Sequence, residues 1–586
     1  MHFLENPPRF LFFTGKGGVG KTSIACASAL AMARQGKRVL LVSTDPASNV
    51  GQVFGLGIGN TLTPVPSVPG LTALEIDPEQ AADAYRERVI GPLRGVLPEN
   101  EVVSMTEQLS GSCTTEIASF NEFTALLTDK SLTAGFDHIL FDTAPTGHTI
   151  RLLQLPGSWT EFLSAGKGDA SCLGPLSGLE KQRSVYSEAV NALADPARTR
   201  LVLVARPQPS ALREIARTRA ELAEIGVGNQ CVVVNAVLPD PGDEDPLARV
   251  IRAREQSALR QIPAGLQGLP IDEIELKPVN MVGVDALGTL FEPGQTLEPA
   301  AIPPSVPDAP LAALVEELAA AGRGLIMCMG KGGVGKTTIA GAVAVALALR
   351  GHEVHLTTTD PAAHPADTVR GSLGSLTVSR IDPAVAASQY RHRVMSTKGA
   401  ALDDEGRAGL EEDLKSPCNE EVAVFQAFSR IIHESRSKFV VVDTAPTGHT
   451  LLLLDATGSY HREIARQMGA EARFTTPLMR LQNPDETKVL IVTLAETTPR
   501  LEAEELQADL ERAGIHPWAW VINNSLAAAQ PRSPLLQQRA AAEAGEIRRI
   551  AQYRDRYAIV PMQPGDPVGV DALSGLVGGS PVPVPN

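Results

Sequence analysis

The chain has 586 residues, 43% apolar and 20% charged, enough to bury sizeable cores and too apolar for a generically disordered polymer. Its 52 basic and 67 acidic residues leave a net charge of −15, which argues against a general nucleic-acid binder or a polybasic membrane-surface protein. Six cysteines make no disulfide scaffold, the longest apolar stretches fall short of the roughly 20 residues a membrane span needs, and no charged-then-apolar signal segment opens the chain, so a cytoplasmic protein with reduced thiols and no direct membrane insertion is expected.

In chain order, short apolar runs at 10–14, 39–43, 138–141, 201–205 and 231–234 read as buried strands, with a helical pattern at 24–34 after the first. Residues 292–310 carry six prolines in nineteen positions and read as an extended linker. Beyond it, runs at 325–329, 354–358, 439–442, 489–493 and 520–522 read as strands again, with a helix at 339–350. Continuous apolar strands separated by helices predict a doubly wound α/β fold with a mostly parallel sheet, and predict it twice. The expected division is a first half at 1–291, a linker at 292–310, a second half at 311–579 and an unstructured tail at 580–586.

The two halves are copies. G-K-G-G-V-G-K-T-S at 15–23 returns as G-K-G-G-V-G-K-T-T at 330–338, and D-T-A-P-T-G-H-T at 142–149 returns letter for letter at 443–450. The order of shared segments is kept while the offset shrinks from 315 to 286, as loop deletions in the second copy would produce.

Each glycine-rich segment fits the phosphate-binding loop (P-loop) pattern, follows an apolar strand and opens a helix, which predicts tandem P-loop NTPase domains. Gly15, Gly17, Gly18 and Gly20, with Gly330, Gly332, Gly333 and Gly335, let backbone N–H groups converge on phosphate oxygens at a helix N-terminus. Lys21 and Lys336 would neutralise the phosphates, while Thr22 and Thr337, followed by Ser23 and Thr338, would meet Mg²⁺. Asp142 and Asp443 end apolar strands, where a second Mg²⁺-site carboxylate belongs, reaching the ion through water. Asp45 and Asp360 end another strand and are candidates for positioning the attacking water. An ATP hydrolase is the reading.

The cysteines divide. Cys26, Cys231 and Cys328 lie in apolar helix or strand patterns and read as core, whereas Cys113, Cys172 and Cys418 have polar neighbours. Cys113 and Cys418 are repeat equivalents at offset 305, and no C-x-x-C pair exists. Three thiolates suit a soft three-coordinate ion better than a structural zinc.

Lys16 and Lys331, at the second loop position, give a form that resembles the deviant loop of nitrogenase-iron-protein-like ATPases. That likeness implies an intramolecular pseudo-dimer, with Lys16 serving the second site and Lys331 the first. Two such loops, two D-T-A-P-T-G-H-T segments, a proline-rich linker and three non-core cysteines together resemble the arsenite-transporting ATPase (ArsA) family across 9–575. The resemblance implies that As(III) or Sb(III) binds Cys113, Cys172 and Cys418 with His148 and His449. It further implies that Ser416 lies near that site and that Asn235 and Asn523 read adenine. Its implied partners are a membrane arsenite permease, which brings the protein to the membrane periphery, and a metalloid-delivering chaperone. The related ATPases that target tail-anchored membrane proteins are the competing reading; their C-x-x-C zinc pair is missing here, and only 10 methionines are scattered along the chain.

Overall fold

A computed structural model of the chain describes residues 1–45, 50–95, 112–143, 179–240, 245–294, 305–360, 365–397, 417–445 and 476–578, with isolated positions between 98 and 109 and between 400 and 414. They form two compact units, Met1–Pro241 with Ile251–Thr296, and Gly242–Val250 with Leu297–Asn586.

The first unit is built on an eight-stranded sheet: β1 (Phe10–Thr14), β2 (Val39–Ser43), β3 (Thr63–Pro64), β4 (Leu71–Glu75), β5 (His138–Asp142), β6 (Thr199–Ala205), β7 (Gln230–Val237) and β8 (Ile271–Glu275). The spatial order is β3-β4-β2-β5-β1-β6-β7-β8, parallel except for the short β3 on β4. Alternation along β1 shows why the central strands are continuously apolar. Phe10 and Phe12 feed one core together with Phe123, Phe141 and Leu203, while Leu11 and Phe13 feed the opposite core with Ile24, Leu41 and Val204. Burial on both faces keeps the bodies of these strands apolar and leaves polar residues such as Thr14 and Ser43 to their ends. Phe12 and Phe141 stack across β1 and β5 with ring centroids 4.5 Å apart.

The second unit repeats the plan with seven strands: β9 (Gly324–Met329), β10 (Val354–Thr358), β11 (Leu376–Val378), β12 (Phe439–Asp443), β13 (Thr487–Leu494), β14 (Ala519–Ser525) and β15 (Tyr557–Pro561). Their order is β11-β10-β12-β9-β13-β14-β15, all parallel. Asp245 belongs to this unit: one carboxylate oxygen caps Leu247 and Ala248, and the other accepts the Arg532 and Ser533 N–H groups at 2.8 Å each.

In both units the strand order reverses beside the first strand, so β1 lies between β5 and β6, and β9 between β12 and β13. That reversal opens a crevice at the carboxyl edge, where ligands bind in folds of this class. Register sets Phe13 beside Asp142, and Cys328 beside Asp443.

Candidate functional site

The loop leaving β1 closes on Gly20, whose φ of 92° puts it in the left-handed region; Gly335 takes 90° after β9. These glycines cap helices Lys21–Arg34 and Lys336–Leu349, which begin three residues earlier than the apolar periodicity indicated. Lys21, Thr22, Lys336 and Thr337 therefore sit in the first helical turn, where unpaired N–H groups and the helix dipole favour an anion.

Lys21 is 7% exposed and its Nζ donates to the Lys16 carbonyl at 3.4 Å; Lys336 is 6% exposed and donates to the Lys331 carbonyl at 2.9 Å. The Thr22 hydroxyl donates to Asp142 Oδ2 at 2.6 Å, and Thr337 to Asp443 Oδ2 at 2.7 Å. Both carboxylates are buried. Burial pushes the Asp443 carboxyl up to about 6, against the pull of Lys336 and the hydroxyls of Thr337 and Thr358, with the nearby Asp360 charge adding to the rise. Asp443 Oδ1 has no hydrogen-bond partner among the described residues.

The residue after each aspartate is stapled to the loop-bearing strand. Thr143 Oγ1 donates to the Phe13 carbonyl at 2.7 Å, and Thr444 Oγ1 to the Cys328 carbonyl at 2.9 Å. Asp45 and Asp360 lie two residues beyond β2 and β10, half-buried, their N–H groups donating to Ser43 Oγ and Thr358 Oγ1 at 3.4 and 3.1 Å.

Asn235 and Asn523 end up against the loops. Each Nδ2 donates at 2.9 Å to a loop carbonyl, Val19 and Val334 respectively. The next residues, Ala236 and Asn524, have φ of 57° and 53°, and β7 and β14 shift register there. Such a bulge re-aims the side chain beside it. One of the two amide N–H groups is thereby used on the loop, which leaves the other N–H and the amide oxygen of each asparagine.

Two residues that sequence reasoning missed stand against the loops, one in each unit. Lys16 Nζ lies 3.8 Å from Glu214, and Lys331 Nζ donates to Glu502. Both glutamates are the sixth residue of the helix that succeeds the strand beside the loop, Pro209–Glu224 and Thr497–Arg512. Their offset of 288 was the available signal, but a lone glutamate on an amphipathic helix carries no motif.

Of the metalloid candidates, Cys113 and Cys418 are each the second residue of a helix, Ser112–Thr128 and Pro417–Glu434. Cys172, His148, His449 and Ser416 lie outside the described residues. Among the described residues no cluster of three His, Cys, Asp or Glu side chains is set for a metal ion. Cys26, Cys231 and Cys328 are free and buried; burial raises all three thiols, Cys231 to about 12, which makes them inert as thiolates. Among the described residues, no helix is long and apolar enough to cross a membrane.

Known proteins resemble this chain over nearly its whole length. The family described as "Anion-transporting ATPase" matches residues 8–293 and 324–481. The "Arsenical pump-driving ATPase" of Acidiphilium multivorum is 61% identical over 582 residues, covering 98% of this chain and all of that protein. A protein of the same name from Escherichia coli is 61% identical over 587 residues, 99% of this chain and all of its own length. The "ATPase get3" of Schizosaccharomyces pombe is 30% identical over 307 residues, 48% of this chain and 90% of that protein. A P-loop with its threonine–aspartate pair in each unit, matched over nearly the whole length by such relatives, makes this chain a member of the anion-transporting ATPase family.

Proposed function

We propose that this chain hydrolyses ATP with Mg²⁺ at both loops and that trivalent arsenic or antimony accelerates it, driving metalloid extrusion through a separate membrane permease. The observation that carries the reading is the duplicated set of loop lysine, threonine and strand-end aspartate, intact in both units. The relatives named for arsenical pumps supply the metalloid.

The donor set fits Mg²⁺. A hard cation takes oxygen ligands in a nearly octahedral shell and keeps several waters, as one hydroxyl and a neighbouring carboxylate allow. The unpartnered Oδ1 of Asp443 supports this, because a buried carboxylate oxygen with no partner is costly unless a cation answers it. Thr22 and Thr337 would ligate the ion, with Asp142 and Asp443 holding its water. Bound there, the ion would neutralise charge on the terminal phosphates.

The protein's own groups do the rest. Lys21 and Lys336 bind phosphate oxygens, Asp45 and Asp360 orient the attacking water, and Asn235 and Asn523 accept from adenine. Lys16 and Lys331 each act on the nucleotide of the other half. Cys113, Cys172 and Cys418, with His148 and His449, hold the metalloid as substrate and activator, because soft trivalent ions bind sulfur strongly. The protein works as a single chain in the cytoplasm, docks on its permease at the membrane and receives metalloid from a chaperone.

The test is ATPase rate against antimonite concentration for cysteine-to-serine variants at all six positions under reducing conditions. Substitution at Cys113, Cys172 or Cys418 should raise the antimonite needed for activation and leave the rate without metalloid intact. Substitution at Cys26, Cys231 or Cys328 should act through stability alone. Six alike responses would reject the metalloid assignment in favour of membrane-protein targeting.

A further inference from the structure

The lysine at the second position of each loop, Lys16 or Lys331, faces two demands: its backbone carbonyl receives Lys21 or Lys336, while its ammonium is drawn to a glutamate of its own unit. Those glutamates hold repeat-equivalent places, each the sixth residue of its helix. Their surroundings differ. Glu502 is 7% exposed at its side chain and Lys331 19%, whereas Glu214 is 13% exposed and Lys16 46%. Lys331 also donates a hydrogen bond to Glu502, while Lys16 and Glu214 stand 3.8 Å apart.

We infer that Glu214 and Glu502 are retaining residues: each withholds its loop lysine from ATP hydrolysis, and Glu502 holds far more tightly than Glu214. The inference rests on the reading of Lys16 and Lys331 as lysines that act on nucleotide. Charge balance supports it. A lysine on a buried carboxylate has its charge answered, so moving it to a phosphate exchanges one anion for another and must overcome the first attraction. A solvent-exposed pair at near 4 Å is worth little, whereas a mostly desolvated, hydrogen-bonded pair is worth several-fold more. If Glu502 keeps Lys331 engaged about nine times in ten, the rate that depends on Lys331 falls about tenfold, because activity scales with the competent fraction. Affinity for the ATP that Lys331 serves is untouched, since Lys21 and the N–H groups of the first loop bind it independently of that equilibrium.

The experiment uses the full chain, with steady-state ATPase measured with and without antimonite. Glu502→Gln, which keeps the shape and removes the charge, should raise the Lys331-dependent part of basal kcat, the part that Lys331→Ala abolishes, about tenfold. KM for ATP should stay constant and the fold-stimulation by antimonite should shrink. On a Lys331→Ala background the same change should do nothing, because there is no lysine left to retain. Glu214→Gln should raise basal kcat about twofold or less, and it serves as the independent variant if Glu502→Gln costs the fold. An unchanged basal kcat in folded Glu502→Gln, an increase that persists on the Lys331→Ala background, or a rise well beyond twofold in Glu214→Gln overturns the inference. Lys331→Ala with full activity would instead overturn the underlying reading of the loop lysines.

Discussion

At the residue scale, the loop geometry is governed by contacts that leave no room for a side chain. A Cβ on Gly335 would lie 2.1 Å from Asn523 Nδ2, and the φ of 90° adds strain for any other residue. Gly335→Ala should therefore push Asn523 off the Val334 carbonyl and spoil the loop in the second unit. Equilibrium dialysis should show bound nucleotide falling from two per chain to one, and retention of two would refute it. Gly341, in the body of the same helix, is the control: its Cβ would meet nothing nearer than 3.4 Å. Gly341→Ala should leave nucleotide binding alone and add up to about 1 kcal/mol of helix stability. The loop positions were legible in the sequence because backbone approach to phosphate dictates glycine at fixed spacing. Glu214 and Glu502 were not, since an ion pair between a loop and a distant helix obeys no local spacing.

At the element scale, the loop after β14 is held from below. Glu543, buried in the helix Pro534–Tyr553, accepts from the Ala527 N–H at 3.1 Å and from Ser525 Oγ at 3.2 Å. Burial, reinforced by Glu496, pushes its carboxyl up to about 7 despite those hydrogen bonds and Arg539. A raised folded-state pKa means that the protonated form is the one the fold prefers. The stabilisation is complete below the unfolded value of 4.5 and is lost as pH rises through about 7. The span corresponds to about 3 kcal/mol. Glu543→Gln should remove this dependence, so its advantage over the natural chain in urea unfolding should be larger at pH 8 than at pH 5. A pH-independent difference would sink the argument. The ten strands read from apolar runs are all present, whereas β3, β4, β8, β11 and β15 were missed. Their position explains it: β8 reads Ile-Asp-Glu-Ile-Glu and alternates buried with exposed, as an outer strand covered on one face does. β15 is buried at its centre but ends in proline, and only three buried residues stand clear of its neighbours.

For the whole molecule, duplication lets one half serve as a control on the other. The loop, the threonine–aspartate pair, the stapled Thr143 or Thr444 and the asparagine bulge recur with nearly equal distances in the two units. The residues just beyond Asp45 and Asp360 differ, with Ser48-Asn-Val50 in one half and Ala363-His-Pro365 in the other. Unequal turnover is expected. In single-turnover assays Asp45→Asn and Asp360→Asn should cost different fractions of the rate, and equal losses would contradict this. Lys16→Ala should depress hydrolysis at the second loop although that loop is intact, by on the order of 10²–10³ for a lost transition-state charge. Isolated halves that hydrolyse ATP as fast as the whole chain would disprove the dependence.

The unequal lysine–glutamate pairs have a consequence for mutational history. A dimer of identical chains must carry every substitution twice, so it cannot loosen one lysine without loosening the other. Fusing the copies into one polypeptide removes that constraint. Glu214 and Glu502 are encoded separately, so a substitution can act on one lysine–glutamate pair and leave its counterpart as it was.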